Sequence, residues 1–489
     1  MPFAISAGHE LTRDTAKLII DNGGNAFDAA IAAYAVMFIA EPAMASAGAS
    51  GFATTYFKEK NERKVFDFFS QTPIRKSKRD DIDYYPIHIQ FVDASEEFHV
   101  GLASSTVPGA IAGIYALHDR YGTIPIAELF QPAISHCKAG VPLDDFQAYD
   151  LKLLQDILKS SPVGQDIFFK DDRIKVCGEN IQMHKAADFL DFIGNEGPRP
   201  FYYGEIATSI CRDANERGAH FTREDFESYK VHVHDPLMLD IDKYHIAVPG
   251  TPSIGSYGLA LYWGLCEREH WDDAGALKYT AENIRNKAKV ITQLRKLYPH
   301  IDFDLHLEQV SSKGTSHFSI LDKDGNAISL TTSIGEGCGY FIPHTDMHMN
   351  NMLGETYLLP GGAHSWTTNV RLNSMMTPTL AFKDQDLFLI SGSGGASRIP
   401  VAIKQVLSNL IHENMSLKES TESPRIHFQE NTLHLEDNRD CYIPKGNFEI
   451  KRWSGKSLYF GGVNSVLSRD GHLEAWADQR RLGSSGVYE

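Results

Sequence analysis

The stretch Lys313-Gly314-Thr315-Ser316-His317-Phe318 joins a residue without a β-carbon to a potential nucleophile and runs straight into a strand pattern. Phe318, Ile320 and Leu321, the turn-forming run Asp322-Lys323-Asp324-Gly325-Asn326, and then Ala327-Ile328-Ser329-Leu330 predict a hairpin over Ser316 to Thr332. Thr315 stands at its entry. A threonine hydroxyl is a weak nucleophile, and no general base lies nearby in sequence. One remedy is to make the threonine an amino terminus, because a free α-amine with a pKa of about 7.7 to 8.0 can serve as its own base. That requires the Gly314-Thr315 bond to be cut, and glycine tolerates the backbone geometries such a rearrangement needs. A Gly-Thr pair before a strand also reads as an ordinary turn, so the pair alone does not decide.

The chain has 489 residues, 42% of them hydrophobic, enough for a substantial core and, by length, for two or three domains. A formal net charge of -16 without a concentrated basic stripe argues against nucleic-acid binding. The six cysteines, at 137, 177, 211, 266, 338 and 441, show neither CxxC pairing nor zinc spacing, and read as thiols in a reducing compartment. Met1 to Lys17 has no basic segment followed by an apolar run, so no secretory signal is expected and a cytoplasmic location is. Ala26 to Ala40 is strongly apolar but contains Asp28 and stops before Pro42; it predicts a buried helix, not a membrane span, with Asn25 as its N-cap.

Further along, Thr12 to Asp21 and Asp145 to Ser160 have helical character, and Lys64 to Phe69 reads as a strand. Thr222 and Asp225 are spaced as a helix cap. His344, Asp346 and His348 alternate and would place three metal-type ligands on one strand face, a pattern that a solvent-facing strand shows equally. No metal or other cofactor is assigned. No internal repeat or long linker interrupts the chain.

The segment Thr315-Ser316-His317-Phe318-Ser319 with Asp322-Lys323-Asp324-Gly325-Asn326-Ala327 resembles the start of the small subunit of γ-glutamyltranspeptidases. Similar runs occur in family order at Gly23 to Ala30, Ser46 to Phe52, Glu128 to Ile134, Phe201 to Ala207, Phe221 to Phe226 and Pro252 to Ser256. They continue at Asn350-Asn351, Ser374 to Thr379, Ser391 to Arg398, Phe460 to Val463 and Ala477 to Arg481, covering nearly the whole chain. On these motifs the chain is identified as a member of the N-terminal-nucleophile hydrolases. The resemblance implies an α+β fold, a four-layer αββα sandwich formed jointly by residues 1–314 and 315–489 after self-cleavage between Gly314 and Thr315.

The resemblance also implies roles. Thr315 would be the nucleophile; Ser333 stands where the family has a second threonine that bonds to it. Backbone amides of Gly394 and Gly395 would stabilise an oxyanion, although Ala396 intervenes before Ser397-Arg398 and leaves the register open by one residue. Glu355, Ser374 and Asn351 fall in the substrate-binding positions. Several departures concern the same shell. Phe69 occupies the place of the arginine that clamps the glutamyl α-carboxylate, Gly335 that of an asparagine, Met352 that of a glutamine and Met375 that of a second serine, while Glu355 replaces an aspartate.

The expected function is a self-processing amidohydrolase or acyltransferase acting on γ-glutamyl amides such as glutathione, or on related acyl amides, with water or an amine as acceptor. Its expected partners are that small molecule and its own second processed chain, with homo-oligomerisation left open. Alternatives are a binding or scaffold protein that keeps the fold without turnover, and, more distantly, a metal-dependent hydrolase built on His344 and His348.

Overall fold

The architecture, taken from a computed structural model, is described for residues 2–90, 95–305, 310–311, 314–355, 365–439, 443 and 447–489. Two antiparallel sheets form its centre. The first has seven strands in the order His232–His234, Glu62–Phe68, Ser50–Phe57, Ala327–Ser333, Thr315–Leu321, Phe3–Ala7 and Ser484–Tyr488. The second has six: Leu237–Ile241, Tyr244–Val248, Thr379–Lys383, Asp386–Gly394, Gly462–Arg469 and His472–Ala477.

The predicted hairpin is the centre of the first sheet. Its register runs from Thr315 opposite Ser333 to Leu321 opposite Ala327. The turn is held by Asp322, whose carboxylate accepts the backbone N–H groups of Asp324 and Asn326 at 2.9 and 2.8 Å. Every residue of both strands is buried, because one face meets helices and the other meets the second sheet.

The helix Ala26–Ala40 covers the outer face of the first sheet and is buried on all sides. Asn25 and Asp28 form a reciprocal capping box at its start, satisfying amides that the core would otherwise leave without water. Its many alanines let the helix approach the sheet closely, and Tyr34 reaches through to bond Thr332 at 2.6 Å. On the far side, Ile254–Glu269 and Arg398–Ile411 cover the second sheet with their own apolar core. The result is the four-layer αββα sandwich.

Between the sheets the packing changes character along the strands. At one end Ala4, Tyr56, Leu321, Leu380, Phe382 and Ile390 form an apolar seam, with the Tyr56 and Phe382 rings edge to face at 5.1 Å. At the other end small polar side chains bridge the sheets. Ser329 donates to the Ser391 carbonyl at 2.9 Å, Ser319 to that of Asn464 at 3.0 Å, and Asn464 Nδ2 to that of His317 at 2.8 Å. Satisfying these groups internally keeps the burial of hydroxyls inexpensive.

Two local expectations are corrected. Asp145 to Ser160 is two helices, Asp145–Leu153 and Gln155–Lys159, because the backbone at Leu154 leaves helical geometry while that side chain stays in the core. His344, Asp346 and His348 do not share a strand face: His344 and Asp346 have φ of 64° and 55°, left-handed values that break the alternation. Asp346 accepts the Lys185 amide at 2.9 Å, and His348 stacks on Phe341 and accepts the Gly339 amide at 2.9 Å. Among the described residues no three metal-type side chains converge and no helix is long and apolar enough to cross a membrane. The five described cysteines are free thiols; Cys441 lies outside the described residues.

The apolar seam predicts a stability effect. Phe382 is fully buried between the sheets, so Phe382→Ala should lower unfolding free energy by about 3 to 5 kcal/mol. Urea denaturation followed by fluorescence measures it; a loss below about 1 kcal/mol would mean the sheets do not pack through this ring.

Candidate active site

Thr315 begins a central strand and is 1% exposed. Its cross-strand partner is Ser333, whose own partner on the next strand is Ser50, so the three side chains share the face that meets the second sheet. Ser333 Oγ donates to the carbonyl oxygen of Gly314 at 2.8 Å and accepts the Gly335 amide at 3.0 Å. The hydroxyl therefore polarises the carbonyl of the Gly314-Thr315 peptide itself, a contact that spacing in the sequence does not show.

Gly314 fits because it lacks a side chain. A Cβ there would stand 1.9 Å from the Gly335 carbonyl oxygen and 3.1 Å from that of Ala43. Both neighbours are backbone, so neither can rotate away.

The glycine loop approaches from the second sheet. Gly394 ends the strand Asp386–Gly394, opposite Gly462, and a Cβ on it would lie 2.2 Å from the Thr315 carbonyl oxygen. Gly395 and Ala396 follow with φ of 118° and 53°, turning the chain into the helix Arg398–Ile411. Among the described residues the amides of Gly395 and Ala396 donate to no protein acceptor.

Two charged residues that motif reading did not single out border the same place. Glu41, directly after the buried helix, and Arg481 line with Thr315, Phe146 and Gly394 a cavity of about 20 Å³, room for a water molecule. Glu41 accepts hydrogen bonds from Ser316 Oγ and, at 3.1 Å, from Thr12. Burial nevertheless pushes its carboxyl up from 4.5 to about 7. Arg481 donates to the Thr315 carbonyl at 3.2 Å, and burial lowers its guanidinium to about 10. His317 is held neutral by burial, at about 3, between Thr331 and Ser319. The available signals were a lone acid ending an apolar run and a second arginine after Arg480.

The expected binding residues lie on the other side of Gly335. A Cβ on Gly335 would be 2.2 Å from Asn351 Oδ1 and 3.3 Å from Glu355 Oε1, which places both side chains against this backbone. Asn351 Oδ1 accepts the Glu336 amide at 2.9 Å, and among the described residues its buried Nδ2 has no hydrogen-bond partner. Ser374 is engaged in its own turn, accepting the Met376 amide at 3.1 Å, and pairs in parallel with Ser311, four residues before Thr315. Phe69, one residue past the strand Glu62–Phe68, falls level with Ser50 and stacks on Phe52 at 5.3 Å.

A central strand that starts with a buried threonine, a hydroxyl on the preceding carbonyl and a glycine loop overhead, all within an αββα sandwich, define an N-terminal-nucleophile hydrolase architecture. The sequence profile of the Gamma-glutamyltranspeptidase family matches residues 12–276 and 268–488, and the chain belongs to that family. It is an enzyme of the hydrolase and transferase type. It is 28% identical over 459 residues to the Glutathione hydrolase proenzyme of Escherichia coli, covering 84% of this chain and 78% of that one. It is 25% identical over 510 residues to the Capsule biosynthesis protein CapD proenzyme of Bacillus anthracis, covering 99% and 90%. Among solved structures, cephalosporin acylase from Bacillus halodurans superposes with a TM-score of 0.83 over 100% of this chain and 96% of that chain, at 20% identity.

The raised Glu41 carboxyl predicts a pH signature. An acid that binds its proton more tightly when folded contributes stability that is full below about pH 4.5 and lost as pH rises through about 7, on the order of 3 kcal/mol at most. Thermal midpoints of the protein should fall across that window, and Glu41→Gln should fall less steeply. Parallel curves for the two proteins would contradict this placement of the acid.

Proposed function

We propose that the chain is a self-processing amidohydrolase or acyltransferase whose nucleophile is Thr315, acting on γ-glutamyl or related acyl amides. The observation that carries it is the contact of Ser333 Oγ with the Gly314 carbonyl, at a glycine whose surroundings admit no side chain. The Escherichia coli and Bacillus anthracis relatives are both named as proenzymes, which supports processing.

In the first reaction Thr315 Oγ attacks the Gly314 carbonyl carbon and the peptide nitrogen leaves with a proton. The resulting ester is hydrolysed by water, freeing a carboxylate on Gly314 and an α-amine on Thr315. Ser333 stabilises the oxyanion of that step. In the second reaction the new amine takes the hydroxyl proton while Thr315 attacks an amide substrate, and delivers it to the leaving amine. Amides of Gly395 and Ala396, or of Gly394 with Gly395, face the oxyanion formed there. Water or an amine then resolves the acyl-enzyme.

Residues 1–314 and 315–489 would stay together after the cut, since both contribute strands to each sheet. Their association is the protein–protein contact this reading requires. No cofactor takes part in either step.

Purified protein should resolve by intact mass into chains 1–314 and 315–489, and Thr315→Ala should remain a single chain. Ser333→Ala should slow cleavage by about 100-fold, as loss of one oxyanion donor does. Cleavage of Thr315→Ala at the same bond would exclude the assignment.

A further inference from the structure

Before the cut, Thr315 has no amine. Its nitrogen belongs to the Gly314-Thr315 peptide, whose lone pair is delocalised into the carbonyl and takes up no proton. The base that serves the processed enzyme is therefore missing from the reaction that makes it, and the Thr315 hydroxyl must lose its proton to another group.

Besides Arg481, a cation, the titratable side chains lining the cavity at Thr315 are His317 and Glu41. Both ring nitrogens of His317 are engaged, Nδ1 with Thr331 at 2.9 Å and Nε2 with Ser319 at 3.0 Å, and burial holds the ring at about 3, a weak base. Glu41 is held differently. The hydroxyls of Thr12 and Ser316 donate to it, while Arg481 directs its guanidinium at the Thr315 carbonyl 3.2 Å away. Burial raises this carboxyl to about 7, so its ionised form takes a proton more readily than an ordinary carboxylate does.

The backbone fixes this acid against both neighbours of the nucleophile. Glu41 opens a turn in which its carbonyl accepts the Met44 and Ala45 amides, each at 2.9 Å. Ala43 of that turn places its carbonyl oxygen 3.1 Å from where a Cβ on Gly314 would stand, while Glu41 Oε2 takes the hydroxyl of Ser316. One turn thus touches the residues before and after Thr315. Gly8 covers the pair: a Cβ on it would lie 2.7 Å from Glu41 Oε2 and 2.8 Å from Ser316 Oγ. The space that Glu41 and Thr315 share, about 20 Å³, admits one water.

Resting on the self-processing reading above, we propose that Glu41 is the proton acceptor of the cleavage step, acting through a water held in the cavity it shares with Thr315. As Thr315 Oγ bonds to the Gly314 carbonyl carbon, its proton passes to the water and a proton of the water passes to Glu41. As the carbon–nitrogen bond breaks, the same route returns a proton to the Thr315 nitrogen, which becomes the amine. Glu41 ends ionised, as it began. It works through the water and does not touch the reacting atoms.

The test follows cleavage of full-length chain made by cell-free translation, read by intact mass between about pH 5 and pH 9. In the unmodified protein the rate should rise through about pH 7 and then level, as Glu41 ionises. Glu41→Gln, which keeps the size and an acceptor for a hydroxyl, should cleave roughly 100-fold more slowly and lose that rise, and Glu41→Asp should recover part of the rate. Other ionisable groups border the acid: Asp144, His9 paired with Asp144 at 3.6 Å, and Arg481, whose neighbour Asp150 is raised to about 6. Asp144→Asn and Asp150→Asn should keep the rise. Glu41→Gln that cleaves at the unmodified rate, or more slowly with the rise intact, would overturn the inference. So would an unmodified profile that is flat or never levels, or a rise that disappears with Asp144 or Asp150 instead. If Glu41→Gln does not fold, the unmodified profile and the two asparagine variants decide without it. Cleavage of Thr315→Ala at the same bond, or no cleavage of the unmodified chain at any pH, would instead overturn the self-processing reading beneath.

Discussion

The site depends on backbone meeting backbone with nothing between. Gly314 packs on the carbonyls of Gly335 and Ala43, and Gly394 packs on the carbonyl of Thr315, so three strands and a loop converge at spacings that admit no β-carbon. Side chains in a protein interior adapt by changing rotamer, whereas backbone does so only by moving its whole strand. The Gly314-Thr315 bond is therefore located by the two sheets together. Ser333 can reach its carbonyl because the hairpin register sets it directly opposite Thr315.

That convergence also explains how a chain could be cut at its centre and stay folded. The first sheet reads, across its width, three strands from before Thr315, two from after, one from before and one from after. Buried hydroxyls and amides then tie it to the second sheet near the site, while the apolar seam holds the far end. The polar end is the costlier one to bury, and it is where catalysis would take place. Glu41 and Arg481 show the same tension: each is charged in water, and burial shifts each toward its neutral form.

Local chemistry was legible where one segment carried it. The hairpin followed from alternation and an Asp-Gly-Asn turn, and the buried helix from Asn25, Asp28 and a run of alanines. Thr315 stood out because the glycine before it and the strand after it lie within a few residues. What the sequence hid was placed by distant parts of the chain. Glu41 meets Ser316 across 275 residues, Arg481 meets Thr315 across 166, and no local pattern marks either contact. The alternation of His344, Asp346 and His348 misled because period two is only meaningful in extended backbone, and two of these residues have left-handed φ. The departures at Phe69, Gly335 and Met352 were visible as letters; the stacking of Phe69 against Phe52 was not.

The central claim is that Thr315 forms the covalent bond to the acyl group. Its most direct test is intact mass spectrometry of protein quenched in acid during turnover of an acyl anilide, followed by peptide mapping. The account predicts that chain 315–489 gains the mass of the corresponding carboxylic acid less water, and that the adduct maps to the amino-terminal Thr315. An adduct on chain 1–314, or on any other residue of 315–489, would contradict it.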